Sequence, residues 1–133
     1  AESVHLLTWP EIGSDWKNPA LNEKWGQLRA LRESVTMAIE PFRRDKVIRS
    51  SLEASVRIGI GDTAQAEAAA SLTKDDLAEL FIVSEAETAG GEGDAVVSVE
   101  KTGNAKCGRC WRHMPEVESD GHLCHRCAKV LNG

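Results

Sequence analysis

The sequence predicts an α+β fold: one long helix, a small mixed α/β junction subdomain and a C-terminal cysteine-rich knuckle. Leu21, Trp25, Leu28, Leu31, Val35, Ile39 and Phe42 recur at three- and four-residue steps, which places them on one stripe of an amphipathic helix. Ala54 to Ile60 alternates apolar and polar residues, the mark of a half-buried strand. Two Cys-x-x-Cys pairs, Cys107/Cys110 and Cys124/Cys127, close the chain with thirteen residues between them.

The elements follow in order from local chemistry. Val4 to Pro10 reads as extended or irregular chain, because a residue before proline is pushed out of the helical region. Asn18 caps the long helix and Pro19 takes its first position. Pro41 removes a backbone donor, so a kink or break is expected near Ala38 to Glu40. After the strand, Gly59 and Gly61 favour a turn. Thr63 to Ala70 is alanine-rich and suits a short helix, and Thr73 with Asp76 resembles a capping box for another running to Leu80. Phe81-Ile82-Val83 and Val96 to Val99 look like short strands. Glu85 to Asp94, with three glycines and four acids, is expected to be an exposed hairpin loop or linker.

At 133 residues the chain has the size of one domain, or of one small domain with an appended module. It opens on Ala1 rather than Met and is expected to be a piece of a longer protein. No apolar run approaches the roughly 20 residues of a membrane span. The net charge of -5 argues against a uniformly basic nucleic-acid binder, yet the charge is divided. Residues 24 to 61 hold eight Lys/Arg against four Asp/Glu, and residues 62 to 94 hold one against nine. An acidic protein with a local basic surface can still meet phosphate.

A disulfide framework would spread its bridges through the fold, whereas these cysteines leave residues 1 to 106 unstapled. Two Cys-x-x-Cys turns supply four soft thiolates to one ion, and the expectation is a single structural Zn2+ in a zinc knuckle. Gly108 eases the first turn, and Arg109 and Arg126 partly offset the thiolate charge. His113, His122 and His125 read as surface or supporting groups, because four sulfurs already close the shell. Residues 105 to 133 hold too few apolar side chains to fold alone, so removing zinc should unfold this tail and spare the rest.

The segments Cys107-x-Arg109-Cys110-Trp111 and Leu123-Cys124-x-Arg126-Cys127 resemble the C-terminal zinc motif of bacterial isoleucyl-tRNA synthetases. Ser3-Val4-His5-Leu6 with Trp9-Pro10, and Lys46 through Ala54, are similar to two further signatures of that family, in the same order. Arg49 stands where the family commonly has Gly, and Pro41 lies where it is usually uninterrupted. The resemblance implies three parts: 1–51 as the end of a helical anticodon-binding domain, 52–104 as the α+β junction subdomain, and 105–133 as the four-cysteine zinc-binding domain. It also implies a cytoplasmic, monomeric parent ligase that joins isoleucine to its tRNA, with tRNA and upstream catalytic and editing domains as partners. ATP would be used there and not bound here, since the His-Ile-Gly-His and Lys-Met-Ser-Lys-Ser signatures are absent.

Trp111 follows a cysteine directly and has two readings: a cap on the metal site, or a ring on which an anticodon base stacks. The resemblance favours the second and extends it to Arg109. Arg43, Arg44, Lys46 and Arg49 form either a solvated face or a phosphate contact along the tRNA. The stripe from Leu21 to Phe42 reads as core, and Trp9, Trp16 and His5 as packing at a domain junction. A free-standing zinc ribbon for nucleic acid or protein is the alternative, and a glycosylase is a second. The ribbon would not need the upstream motifs, and the glycosylase would need a catalytic N-terminal residue that is absent.

Overall fold

A computed structural model describes residues 3–132; Ala1, Glu2 and Gly133 lie outside the described residues. The long helix α1, Pro19–Arg44, starts as its sequence dictates: Asn18 Oδ1 accepts from the Leu21 amide at 3.0 Å and Pro19 takes the first position. The break expected before Pro41 does not occur, and α1 runs on to Arg44. Proline leaves only the Met37 carbonyl without its helical donor. Met37 is 63% exposed, so water can satisfy that oxygen, while Ile39 and Phe42 stay packed on the core side.

Strand β1 (Ala54–Ile60) buries Ala54, Val56, Ile58 and Ile60 and turns Ser55 and Arg57 outward, as the alternation requires. Gly59 lies within β1 rather than in a turn; Gly61 leaves the strand, where a Cβ would run into the Gly93 amide nitrogen. Helix α2 (Thr63–Ala70) is capped by Asp62, and α3 (Lys74–Phe81) by a capping box of Thr73 and Asp76.

Two expectations for the next stretch fail. Phe81-Ile82-Val83 is no strand: Phe81 ends α3 and Ile82 adopts a left-handed φ of 57°. The Val83 amide donates to the Ala78 carbonyl and the Ile82 amide to Glu79, a Schellman closure without glycine. A β-branched residue is costly there, but the closure drives Val83 fully into the core. Glu85 to Asp94 is no hairpin loop either, because β2 (Glu85–Gly90) pairs parallel with β1. β3 (Val96–Lys101) pairs antiparallel on the other side, giving the order β2-β1-β3. Only Ala86 of β2 is buried, so this edge strand carries no apolar alternation to betray it.

One apolar core joins α1 to this sheet and its helices: Leu31, Val35, Ile39, Ile48, Val56, Ile58, Leu77, Phe81 and Val83 all belong to it. The start of the chain stays outside that core. Residues 3–18 make two 3-10 turns, Val4–Leu6 and Ser14–Trp16, and bury no side chain. His5, Trp9 and Trp16 therefore do not pack at a junction within this chain, since Trp9 is 95% exposed. Leu21 and Trp25 are also exposed, and the buried stripe begins at Leu28. No helix among the described residues is long and apolar enough to cross a membrane.

Candidate metal centre and nucleic-acid interface

The knuckle is built from β4 (Ala105–Lys106), β5 (His113–Met114) and the short helix α4 (His125–Asn132). The first cysteine pair brackets a reversal. The Trp111 amide donates to the Cys107 carbonyl at 3.0 Å, the Cys107 amide to the Arg112 carbonyl at 2.9 Å, and Trp111 takes a left-handed φ of 66°. The second pair straddles the start of α4. Gly108 serves a steric purpose: its amide donates to the His122 carbonyl, and a Cβ would collide with the Gly121 carbonyl oxygen.

This arrangement brings the sulfurs of Cys107, Cys110, Cys124 and Cys127 within 4.8 Å of one another, with Cys110 and Cys124 3.8 Å apart. A tetrahedron with metal–sulfur arms of about 2.3 Å has edges of about 3.8 Å, so the donor set fits one structural zinc ion. Burial pushes the Cys107 thiol up, but amides of Cys124, Cys110 and Arg109 outweigh it and hold the group at about 6. Burial drives Cys110 up to about 12 and also raises Cys124. Metal uptake must then displace thiol protons, which a hard, oxygen-seeking cation would do poorly. Arg109 Nη1 lies 3.8 Å from the Cys127 sulfur, as its charge-offsetting role requires. Arg126 does otherwise, donating to Glu79 on α3 at 2.8 Å.

Polar stitches, which spacing gave no means to find, fix the knuckle to the core. Ser84 is 2% exposed; its hydroxyl donates to the Leu52 carbonyl at 2.5 Å and accepts from the His113 amide at 2.7 Å. Arg112 Nη2 reaches the Ser84 carbonyl at 3.1 Å and Asp75 at 3.2 Å. His113 is not a free surface group: its Nδ1 lies 2.8 Å from the Asn104 carbonyl oxygen. His122 and His125 are exposed.

The stitches set the Trp111 turn beside the chain that follows α1. Trp111 is 63% exposed and shares a cleft of about 180 Å³ with Ser50, Leu52, Glu53, Lys106 and His113. Arg43, Arg44, Lys46 and Arg49, all exposed, lead from the end of α1 toward Ser50. Arg43 pairs with Glu40 at 3.5 Å and Arg44 with Asp45 at 3.3 Å. Such exposed pairs hold their partners by roughly 0 to 1 kcal/mol, weak enough to yield to a phosphate. Lys46 holds a left-handed φ of 59°, and the Val47 and Lys46 amides close α1 on the Phe42 and Arg43 carbonyls.

Residues 105–130 match the family described as the zinc finger found in FPG and IleRS. Nearly the whole chain also matches larger proteins. The isoleucine-tRNA ligase of Zymomonas mobilis is 47% identical over 131 residues, 98% of this chain and 13% of that protein. This chain is similar along nearly its whole length to a part of these isoleucine-tRNA ligases. The isoleucine-tRNA ligase of Gluconobacter oxydans is 40% identical across 98% of the chain, and that of Agrobacterium fabrum 41% across 90%. The chain spans only 13 to 14% of the length of these ligases.

Proposed function

We propose that this region grips the anticodon arm of isoleucine tRNA and positions it for ATP-dependent aminoacylation by catalytic and editing domains elsewhere in a longer ligase. The carrying observation is Trp111, a large indole left mostly in solvent on left-handed backbone, next to the metal ligand Cys110. A folded chain gains nothing by exposing such a ring, whereas a splayed base stacked on it contributes about 1 to 3 kcal/mol. Arg43, Arg44, Lys46 and Arg49 would meet phosphates, which set position without reading sequence. Arg109, exposed at the rim of the sulfur cluster, would extend that surface.

Zinc serves structure in this reading: four sulfurs close its shell and leave no position for an activated water. The 133-residue chain is inactive by itself and works as part of a monomeric cytoplasmic enzyme. Replacing Trp111 tests the reading. In the zinc-loaded chain, Trp111→Ala should weaken isoleucine tRNA binding about tenfold with metal stoichiometry unchanged, a loss in the range expected for one stacked base. Unaltered affinity with intact zinc would overturn it.

A further inference from the structure

The four cysteines of the knuckle are all unbridged, yet they are not equivalent. Cys107, Cys124 and Cys127 are buried, and Cys110 is half-buried. Cys110 shares a cleft of about 200 Å³ with Cys124, a member of the other Cys-x-x-Cys pair, and the two sulfurs lie 3.8 Å apart. Asp75 and Glu116 line that cleft alongside Arg112 and Arg126, so its walls balance in charge and suit a small uncharged molecule. The sulfurs also differ in their donors. Cys107 is held by the amides of Cys124, Cys110 and Arg109, and Cys127 has the Arg109 guanidinium 3.8 Å away. Cys110 takes one amide, from Arg112, and Cys124 one, from Cys127. A hydrogen bond draws charge from sulfur and blunts its attack, so among four metal-bound thiolates Cys110 and Cys124 are the more nucleophilic.

We propose that Cys110 and Cys124 form a reversible redox switch: a peroxide oxidises them to a disulfide that crosses the two Cys-x-x-Cys pairs and releases zinc. Cys110, the accessible sulfur, attacks one peroxide oxygen; the O–O bond breaks, a sulfenic acid forms and hydroxide leaves. Cys124 then attacks the Cys110 sulfur, so the S–S bond forms as the S–O bond breaks and a second hydroxide leaves. Two electrons pass from the sulfur pair to hydrogen peroxide, and two solvent protons turn both hydroxides into water. A disulfide spans about 2.05 Å against about 3.8 Å for the edge of a zinc tetrahedron, so the bond and the closed shell exclude each other. Cys107 and Cys127 alone leave the ion half-coordinated. Val117 is the one ordinary apolar side chain buried in the knuckle, so the fold there loosens with the metal. The Trp111 turn, next in sequence to Cys110, goes with it. Any effect on RNA rests on the reading of Trp111 as a stacking platform; the switch itself does not.

The test adds hydrogen peroxide to the zinc-loaded 133-residue chain and follows released metal with a chromogenic chelator. Met37, 63% exposed, serves as an internal gauge, because its sulfoxide records the dose. Trypsin cuts after Lys106, Arg109, Arg112 and Arg126, so the four cysteines fall in separate peptides and mass spectrometry after alkylation identifies the bridge. The whole zinc content should leave, with Cys110 joined to Cys124 in the first disulfide. Dithiothreitol with fresh zinc should restore the metal. Zinc retained on reduced thiols while Met37 is oxidised overturns the proposal. A first disulfide within either Cys-x-x-Cys pair overturns it too, as does sulfonic acid that dithiothreitol cannot reverse. No substitution is needed, so a cysteine variant that fails to fold has no bearing on the result. Isoleucine tRNA affinity should fall about tenfold on oxidation and return on reduction. Unchanged affinity after zinc has left and the crossed disulfide has formed leaves the switch standing and overturns Trp111 as the platform, a distinct failure.

Discussion

The core packed around α1 and the knuckle that ends the chain keep their shapes by different means. The core draws Leu31, Val35, Ile39, Ile48, Ile58, Phe81 and Val83 from separate stretches of sequence. The knuckle buries one ordinary apolar side chain, Val117, among Cys107, Cys124 and Cys127. Apolar burial stabilises by area and tolerates small changes of shape. A tetrathiolate centre concentrates its stabilisation in four bonds, and losing one ligand takes most of it. The comparison teaches why the knuckle can hold Trp111 out in solvent on so little protein: the metal supplies what a core would otherwise have to.

Breaking the comparison at its strongest point should give the largest effect. Cys124→Ser, or chelation, should remove most of the roughly 10 to 16 kcal/mol that structural zinc contributes. Limited proteolysis would then cut the tail after residue 104 while the helical circular dichroism of α1 persists. Full zinc stoichiometry in the variant would count against four-sulfur coordination. The converse change is Leu31→Ala, which empties a fully buried site in the core. It should cost about 2 to 5 kcal/mol and lower the Tm without releasing zinc. Metal loss in that variant would show that the two regions do not hold themselves separately.

The smallest effect belongs to the seam. Ser84→Ala leaves the Leu52 carbonyl and the His113 amide without their shared partner. The expected cost is about 1 to 3 kcal/mol, with faster hydrogen exchange at His113 and zinc retained. Unchanged exchange there would mean that Arg112 and Arg126 seat the knuckle without Ser84.

Much of this is legible in the residues. The α1 stripe from Leu28 on, the alternation of β1, both short helices and the cysteine pairs each carry a local signal that packing then uses. The failures share a cause. α3 stops at a left-handed Ile82 with no glycine to announce it, so Phe81-Ile82-Val83 reads as a strand. β2 exists because β1 offers it a ladder, and a strand that buries only Ala86 has no pattern of its own. Pro41 does not break α1; the one carbonyl it orphans belongs to Met37, an exposed residue.

The sequence by itself determined the two thiol pairs of the candidate metal centre, because a Cys-x-x-Cys turn brings its two thiols together through local backbone geometry. It also determined the charge division, which depends only on composition. Tertiary structure alone decided that Trp111, His113 and Ser50 share one cleft beside the basic end of α1. That meeting depends on Ser84 and Arg112, whose bonds span 28 to 32 residues, and no local pattern encodes a contact made across such a distance.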